Sequence, residues 1–435
     1  MKRYVFTLLV AIVVLSLALA GCGPAETPTP TEAPEATDTP EPEATDTPEP
    51  EPTDTPAPEA TTVTIWHGYA GDYQTPIEEL FDQFNAENED IQIEYARVDD
   101  LSDSLAVAIP AGEGPDILAW ANDQIGRNAL TGNIVAIDEW VDMAYLEENF
   151  TEPAVEGVIW NDQIWGLPET MEAIALVYNR AIVSEEELPA PDDFDALLNN
   201  ACDFRENNPD MWYLCNQGLG NADAYHVAPI YFGHGMPSYV DDEGNVYLNT
   251  EEGLAAGQWI QDFSECAPAE TSHEICQSML AEGQAGMWWT GPWAIASVEA
   301  AGIDYGIAPM GEPFVGIKTW MLTQNAVDRG NEEAAIEVMK WWTSAETVTA
   351  RVLQTNEIPA NTAALEDPEV QAMYTVSAFG ASAERGVPMP PTPFMDALWG
   401  PVGDATTAIW TGAQSPEEAL EAAQQTALET IEEMQ

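Results

Sequence analysis

Residues 112–123 read Gly-Glu-Gly-Pro-Asp-Ile-Leu-Ala-Trp-Ala-Asn-Asp, and they hold the chain to a narrow choice of folds. Gly112, Gly114 and Pro115 make a tight entry turn, residues 116–120 are apolar enough for a buried strand, and Asn122 and Asp123 end it. Upstream, the hydrophobic period changes twice. Thr62-Val63-Thr64-Ile65-Trp66 is a β-branched strand; Ile77, Leu80, Phe81 and Phe84 then recur at helical spacing. Thr75 is expected to cap that helix, with Pro76 first inside it and Glu78 three residues on. Ile91-Gln92-Ile93-Glu94-Tyr95 alternates as a strand, and Leu101, Leu105 and Ala108 give another helical face. Strand, helix, strand, helix and strand predict an α/β architecture with a parallel or mixed sheet. Ligands of open α/β sheets sit at the carboxyl ends of strands, which places Trp120 and Asp123 at a crevice. An indole face beside a carboxylate suits a sugar, whose C–H surface stacks while its hydroxyls donate.

A chain of 435 residues is long enough for two substantial cores. Lys and Arg number 11 against 76 Asp and Glu, a formal net charge of -65, so nucleic acid and a bare anionic membrane repel it. No GxxxxGK[ST] phosphate loop occurs, which argues against an ATP motor of its own. Lys2-Arg3, the apolar residues 4–20 and the ending Leu19-Ala20-Gly21-Cys22 predict a lipoprotein signal peptide over residues 1–21, with lipid on Cys22. Residues 22–61 are rich in Thr, Pro and Glu, cannot bury enough apolar surface to order themselves, and read as an extended disordered tether. The mature chain then lies outside the cytoplasm, lipid-anchored to the cell membrane, at the cell surface or in a periplasm.

Four cysteines remain in that oxidising setting. They fall as two local couples, predicting disulfides Cys202–Cys215 and Cys266–Cys276. Neither couple has CxxC spacing or a set of histidine partners, so no metal site is expected. Asp192, Phe194, Leu197 and Leu198 suggest a helix, Asp242-Glu243-Gly244-Asn245 a hairpin turn, and residues 253–263 and 275–281 further helices. Met287-Trp288-Trp289 is a short apolar strand ending on Thr290-Gly291-Pro292-Trp293. Residues 332–342 are amphipathic, and Ser415-Pro416-Glu417-Glu418 opens a last helix with a cap, a proline and two carboxylates at its positive end.

Thr64-Ile65-Trp66, residues 112–123, Gly166-Leu167-Pro168-Glu169-Thr170-Met171-Glu172 and Val177-Tyr178-Asn179-Arg180 together resemble the maltose/maltodextrin-binding proteins of ABC transporters, the family 1 solute-binding proteins. Gly291-Pro292-Trp293, Pro313-Phe314-Val315-Gly316 and the stretch from Met389-Pro390 to Ala397-Leu398-Trp399 match in the same order, so the resemblance spans residues 62–435. It implies an α/β, two-lobed periplasmic-binding-protein type II fold with interwoven lobes and a hinged ligand cleft. The implied lobes are residues 62–170 plus 320–365 and residues 171–319 plus 366–435. It implies an oligosaccharide ligand, most naturally a maltodextrin-type α-glucan, delivery to ABC permease subunits, a monomer, and neither cofactor nor enzymatic activity. Trp120, Trp293 and Trp399 stand where aromatic rings line the family's groove, with Tyr225 at a fourth aromatic position. Asp123 and Glu172 match hydroxyl-accepting carboxylates, and Asp103 matches a further acidic position.

The sequence also departs from that pattern. Gln124 and Gly403 stand where the group commonly carries arginines, and its lysine near the first strand has no counterpart in His67-Gly68-Tyr69-Ala70-Gly71-Asp72. Losing fixed cations removes donors to sugar oxygens, with His67, Tyr69 or His273 as replacement candidates. A receptor for a different sugar or a polyol is the nearest alternative. A secreted glycoside hydrolase using Asp123 and Glu172 as acid and base is a more distant one.

Overall fold

The computed structural model describes residues 60–69 and 73–434, so the expected signal peptide, the lipidated Cys22 and nearly all of the tether lie outside the described residues. The strands are β1 (Thr61–His67), β2 (Ile91–Arg97), β3 (Ile117–Ala121), β4 (Ile159–Trp160), β5 (Gln163–Ile164), β6 (Leu167–Glu172) and β7 (Ala175–Asn179). β8 (Trp212–Asn216), β9 (Ala285–Thr290), β10 (Tyr305–Ala308), β11 (Phe314–Leu322), β12 (Ile358–Pro359) and β13 (Val387–Pro388) follow. They form one sheet in the order β12-β6-β11-β3-β1-β2, with β13 attached to β11, and a second in the order β10-β7-β9-β8. β1 runs parallel to β2 and β3, while β11 is antiparallel to β3 and β6, so the first sheet is mixed. β4 and β5 make a separate hairpin whose turn residues Asn161 and Asp162 both have positive φ, the pair of left-handed residues that a two-residue hairpin turn requires.

The chain leaves the first sheet between β6 and β7 and returns between β10 and β11. The lobe boundaries expected after Thr170 and before Trp320 therefore fall inside strands β6 and β11, whose pairing in the first sheet is continuous across both points. The first helix also differs from expectation. It runs Gln74–Glu87 behind Tyr73, so Thr75 lies inside it and caps nothing. Pro76 is tolerated there because the first four N–H groups of a helix have no internal partner to lose.

Each sheet has its own aromatic core. Under the first, Trp320 and Trp342 stack at 4.8 Å and Phe81 lies 4.8 Å from Trp342. Under the second, Phe314 meets Phe232 and Tyr239 edge-on at 4.7 and 5.3 Å. The four cysteines do not pair with their sequence neighbours: the bridges are Cys202–Cys266 and Cys215–Cys276. Helix Phe194–Asn207, carrying Cys202, packs on helix Glu251–Phe263, which delivers Cys266 just past its end; helix His273–Ala281 lies on β8 and β9 and sets Cys276 against Cys215. The two loops interlock and span 64 and 61 residues, which in the chain-entropy account makes each worth about 4 kcal/mol. Non-reducing peptide mapping is expected to recover these two crosslinks, and reduction to lower the melting temperature sharply; recovery of Cys202–Cys215 instead would refute the pairing.

His67, expected as a possible donor to ligand, is core. It is fully buried on β1 between Tyr69 and Phe81, at ring distances of 5.2 and 6.2 Å, and neither ring nitrogen has a hydrogen-bond partner. Burial pulls its pKa to about 4, with Glu78 opposing. The folded value lies below the unfolded one, so the associated stability is complete above about pH 6.5 and is lost as pH falls toward 4. Replacing His67 by Phe should remove about 2–3 kcal/mol of acid sensitivity across that window, read as a flatter plot of melting temperature against pH.

Candidate functional site

A cavity of about 830 Å³ opens where the strand ends of the two sheets face each other, and six of the seven expected ligand residues line it: Trp120, Asp123, Glu172, Tyr225, Trp293 and Trp399. Local sequence explains each placement. Trp120 is the next-to-last residue of β3, and the strand ends in the single turn Asn122–Gln124 that carries Asp123. Asn122 is a buried staple: its side chain donates to the Met389 carbonyl at 2.7 Å and accepts from the Ile317 N–H at 3.0 Å, tying the end of β3 to β11 and to the segment after β13. Glu172 is the last residue of β6. Trp293 follows β9 in the turn Pro292–Ala294, and its ring folds back over Gly291, where a Cβ would come within 2.3 Å of it. Tyr225 opens helix Ala224–Gly233 behind the capping carboxylate of Asp223. Trp399 begins helix Trp399–Trp410.

The lining groups touch one another across the cavity. The Trp399 indole N–H donates to Asp123 Oδ2 at 3.1 Å, beside a 2.8 Å bond from Gln124 Nε2. The Tyr225 hydroxyl donates to the Glu172 carbonyl at 3.3 Å, and its ring lies 6.3 Å from Trp293. Burial pushes the Asp123 carboxyl above its ordinary pKa, against the hydrogen bonds from Gln124 and Trp399 that favour its charge. Burial likewise raises Glu172, with the Lys318 ammonium pulling it back. Two carboxylates in a wall of indoles can accept hydroxyl donors while flat rings cover apolar faces.

Asp103 is a correction. It lies exposed in the first turn of helix Leu101–Ala111, its N–H donating to Asp100 Oδ1 at 3.2 Å, and it does not line the cavity. An acidic residue is favoured at that position by the helix dipole alone. Of the replacement donors, Tyr69 and His273 reach the cavity, but the Tyr69 hydroxyl already donates to buried Glu169. Gly403 faces the Ala222 carbonyl so closely that a Cβ would sit 2.1 Å from it, which leaves no room for an arginine. Sequence reasoning missed Lys318, which lines the cavity from the middle of β11. The signal was one cation inside an apolar nine-residue strand of a chain that has few.

A protein-family model described as bacterial extracellular solute-binding protein matches residues 79–377. The chain belongs to that family, and its two sheets are those of the two-lobed periplasmic-binding-protein fold. A maltotriose-binding protein from Pyrococcus abyssi is 31% identical over 370 residues, 80% of this chain and 77% of the relative. A galactooligosaccharide-binding protein from Bacillus subtilis is 25% identical over 73% of this chain and 77% of its own length. The solved maltose/maltodextrin-binding domain from Bdellovibrio bacteriovorus bound to maltotriose superposes with a TM-score of 0.74 at 23% identity, covering 86% of this chain and all of that one. These relatives are solute-binding proteins rather than enzymes. Among the described residues no helix is long and apolar enough to cross a membrane.

Asp123 carries a folded-state pKa above its unfolded one, so its ionised form opposes folding at neutral pH and its neutral amide does not. Asp123→Asn is therefore expected to raise the melting temperature of the ligand-free protein while weakening ligand by about 1.5–3 kcal/mol through loss of a charged acceptor. Calorimetry paired with thermal unfolding checks both signs; a variant that lost stability and kept affinity would remove Asp123 from the site.

Proposed function

We propose that this chain is an extracellular receptor that captures a neutral oligosaccharide, of the maltodextrin-type α-glucan class, by closing the cleft between its lobes, and delivers it to an ABC permease. The observation that carries the reading is the meeting of three indoles, a tyrosine, buried Asp123 and partly buried Glu172 from both sheets in one cavity. Rings from opposite walls cover the two apolar faces of a sugar only when the walls approach, so ligand favours the closed form. That change of shape is what a permease can recognise. Lipid on Cys22, reached through the acidic tether, would hold the receptor beside its transporter, a role supported by the sequence at residues 19–22.

The names of the relatives support an oligosaccharide and leave two chemistries to compare, maltotriose and a galactooligosaccharide. Thermal shift against both, and against glucose and a polyol, identifies the class because a bound ligand raises the melting temperature by mass action. Maltotriose is expected to give the largest shift and to change tryptophan fluorescence. Trp293→Ala and Trp399→Ala should each weaken it by about 1–3 kcal/mol through lost stacking area. Unchanged affinity in both variants would refute the site, and shorter sugars released on incubation with maltooligosaccharides would replace the receptor reading with hydrolysis.

A further inference from the structure

β11 reads Phe-Val-Gly-Ile-Lys-Thr-Trp-Met-Leu, and Lys318 is its one residue that is not buried. Its pairing partners are Ala121 on β3 and Thr170 on β6, so it emerges between the strand that carries Trp120 and the strand that carries Glu172. The ammonium lies 3.6 Å from Glu172 Oε1, with the two side chains 23% and 15% exposed, and 5.4 and 5.8 Å from the ring centres of Tyr69 and Tyr73. A closed, charge-assisted ion pair sits at about 2.7–2.9 Å; this one is held apart. Glu172 Oε1 and the Tyr73 hydroxyl are buried and accept or donate no hydrogen bond among the described residues. Among those residues, no other lysine or arginine lines the cavity.

We propose that Lys318 is a ligand-binding and specificity-determining residue, forming with Glu172 a donor–acceptor couple that grips one sugar hydroxyl from both sides. This rests on the receptor reading above. A hydroxyl can donate to Glu172 Oε1 and accept from Lys318 Nζ at once, whereas a glycosidic or ring oxygen can only accept. The couple therefore recognises a free hydroxyl, and the fixed ammonium repels an amino sugar placed at the same spot. It also supplies from β11 the cation that is missing beside β1. The carboxylates facing Lys318 are Glu172, Glu357 and Glu169, which together hold its pKa up against burial. The phenols near Glu172, Tyr73 and Tyr225, are pushed well above their ordinary range by burial and stay neutral. Without Lys318, burial acts on Glu172 with less opposition and its carboxyl protonates at higher pH.

Isothermal titration of the protein with maltotriose from pH 5 to pH 8 tests this, using Lys318→Met, Lys318→Arg and Lys318→Gln. At pH 8, the end of the range that most favours ionised Glu172, Lys318→Met and Lys318→Gln are expected to bind about tenfold more weakly or worse. Lys318→Arg should recover most of the loss, and the two neutral variants should lose affinity on acidification at a higher pH than wild type. A melting temperature for each ligand-free variant shows that it is folded, and the glutamine variant serves if the methionine variant is not. Neutral variants that bind within about twofold of wild type at pH 8, with a parallel pH profile, would reduce Lys318 to a structural residue and leave the receptor reading standing. A wild-type protein that binds no neutral oligosaccharide would overturn both.

Discussion

The cavity depends on the insertion of β11 between β3 and β6. That antiparallel pairing places Thr319 opposite Trp120, Lys318 opposite Ala121 and Thr170, and Gly316 opposite Glu172, so groups far apart in the chain become neighbours on one sheet. Side chains alternate along a strand, so Lys318 and Trp320, two residues apart, share one face beside Tyr69, and a slip of one residue would turn both to the other face. Trp320 resists the slip: it stacks on Trp342 and its indole N–H donates to Glu169 Oε2 at 3.0 Å. An irregularity in the pairing with β6 falls between Lys318 and Thr319, the kind of local shift that re-aims one side chain without breaking a sheet.

Beneath the cavity floor lies a fully buried ionic cluster. Arg351 pairs with Glu169 and with Glu357, and all three are inaccessible to solvent. Thr170 and Thr355 donate to Glu357 at 3.2 and 2.8 Å, while Tyr69 and Trp320 donate to Glu169. Such a cluster adds little net stability over an apolar replacement, because desolvation opposes most of the attraction. It does fix direction. Every carboxylate oxygen in it has a partner, so Tyr69 is held at the cavity wall by its hydroxyl while its ring faces Lys318. The cluster's two carboxylates and one guanidinium also leave negative potential under Lys318, which keeps that ammonium charged in a largely dry wall.

The parts of this arrangement legible in the sequence were those with local signatures. Trp120, Asp123 and Trp293 each sit at or just after the end of an apolar run, where strand period and terminating polar residue or proline announce a strand end, whereas Glu172, in Leu-Pro-Glu-Thr-Met-Glu, was placed by the family resemblance alone. What stayed hidden was decided over long range. Lys318 is a single residue inside β11, and nothing nearby in sequence says which face it takes. Arg351 lies on helix Ala345–Thr355, where a charge reads as solvent-facing until Glu169 and Glu357 arrive from elsewhere. The cysteines misled for the same reason: closeness in sequence favours local loops, but helix packing set Cys202 beside Cys266. Asp103 misled because the first turn of a helix and a ligand site draw on the same residue type.

The scarcity of cations makes their placement informative. Beyond Lys2 and Arg3 the chain has nine lysines and arginines, and each has an internal partner. Arg97, Arg127, Arg180, Arg329 and Arg385 pair with carboxylates; Arg205 and Lys340 bond backbone carbonyls and face aromatic rings; Arg351 and Lys318 are in the two clusters above. Among the described residues the remaining surface offers acid and neutral groups only. An anionic solute such as a uronate or sugar phosphate is therefore repelled at long range, over roughly a Debye length, and in the cavity meets a single cation, Lys318, beside the carboxylates of Glu172 and Asp123. A neutral sugar is indifferent to that field, and inside the cavity it finds carboxylates whose charge is costly until hydroxyls solvate it. The same acidity that repels anionic competitors thus leaves the cavity's carboxylates free to accept from a polyhydroxylated ligand while its indoles cover the apolar faces.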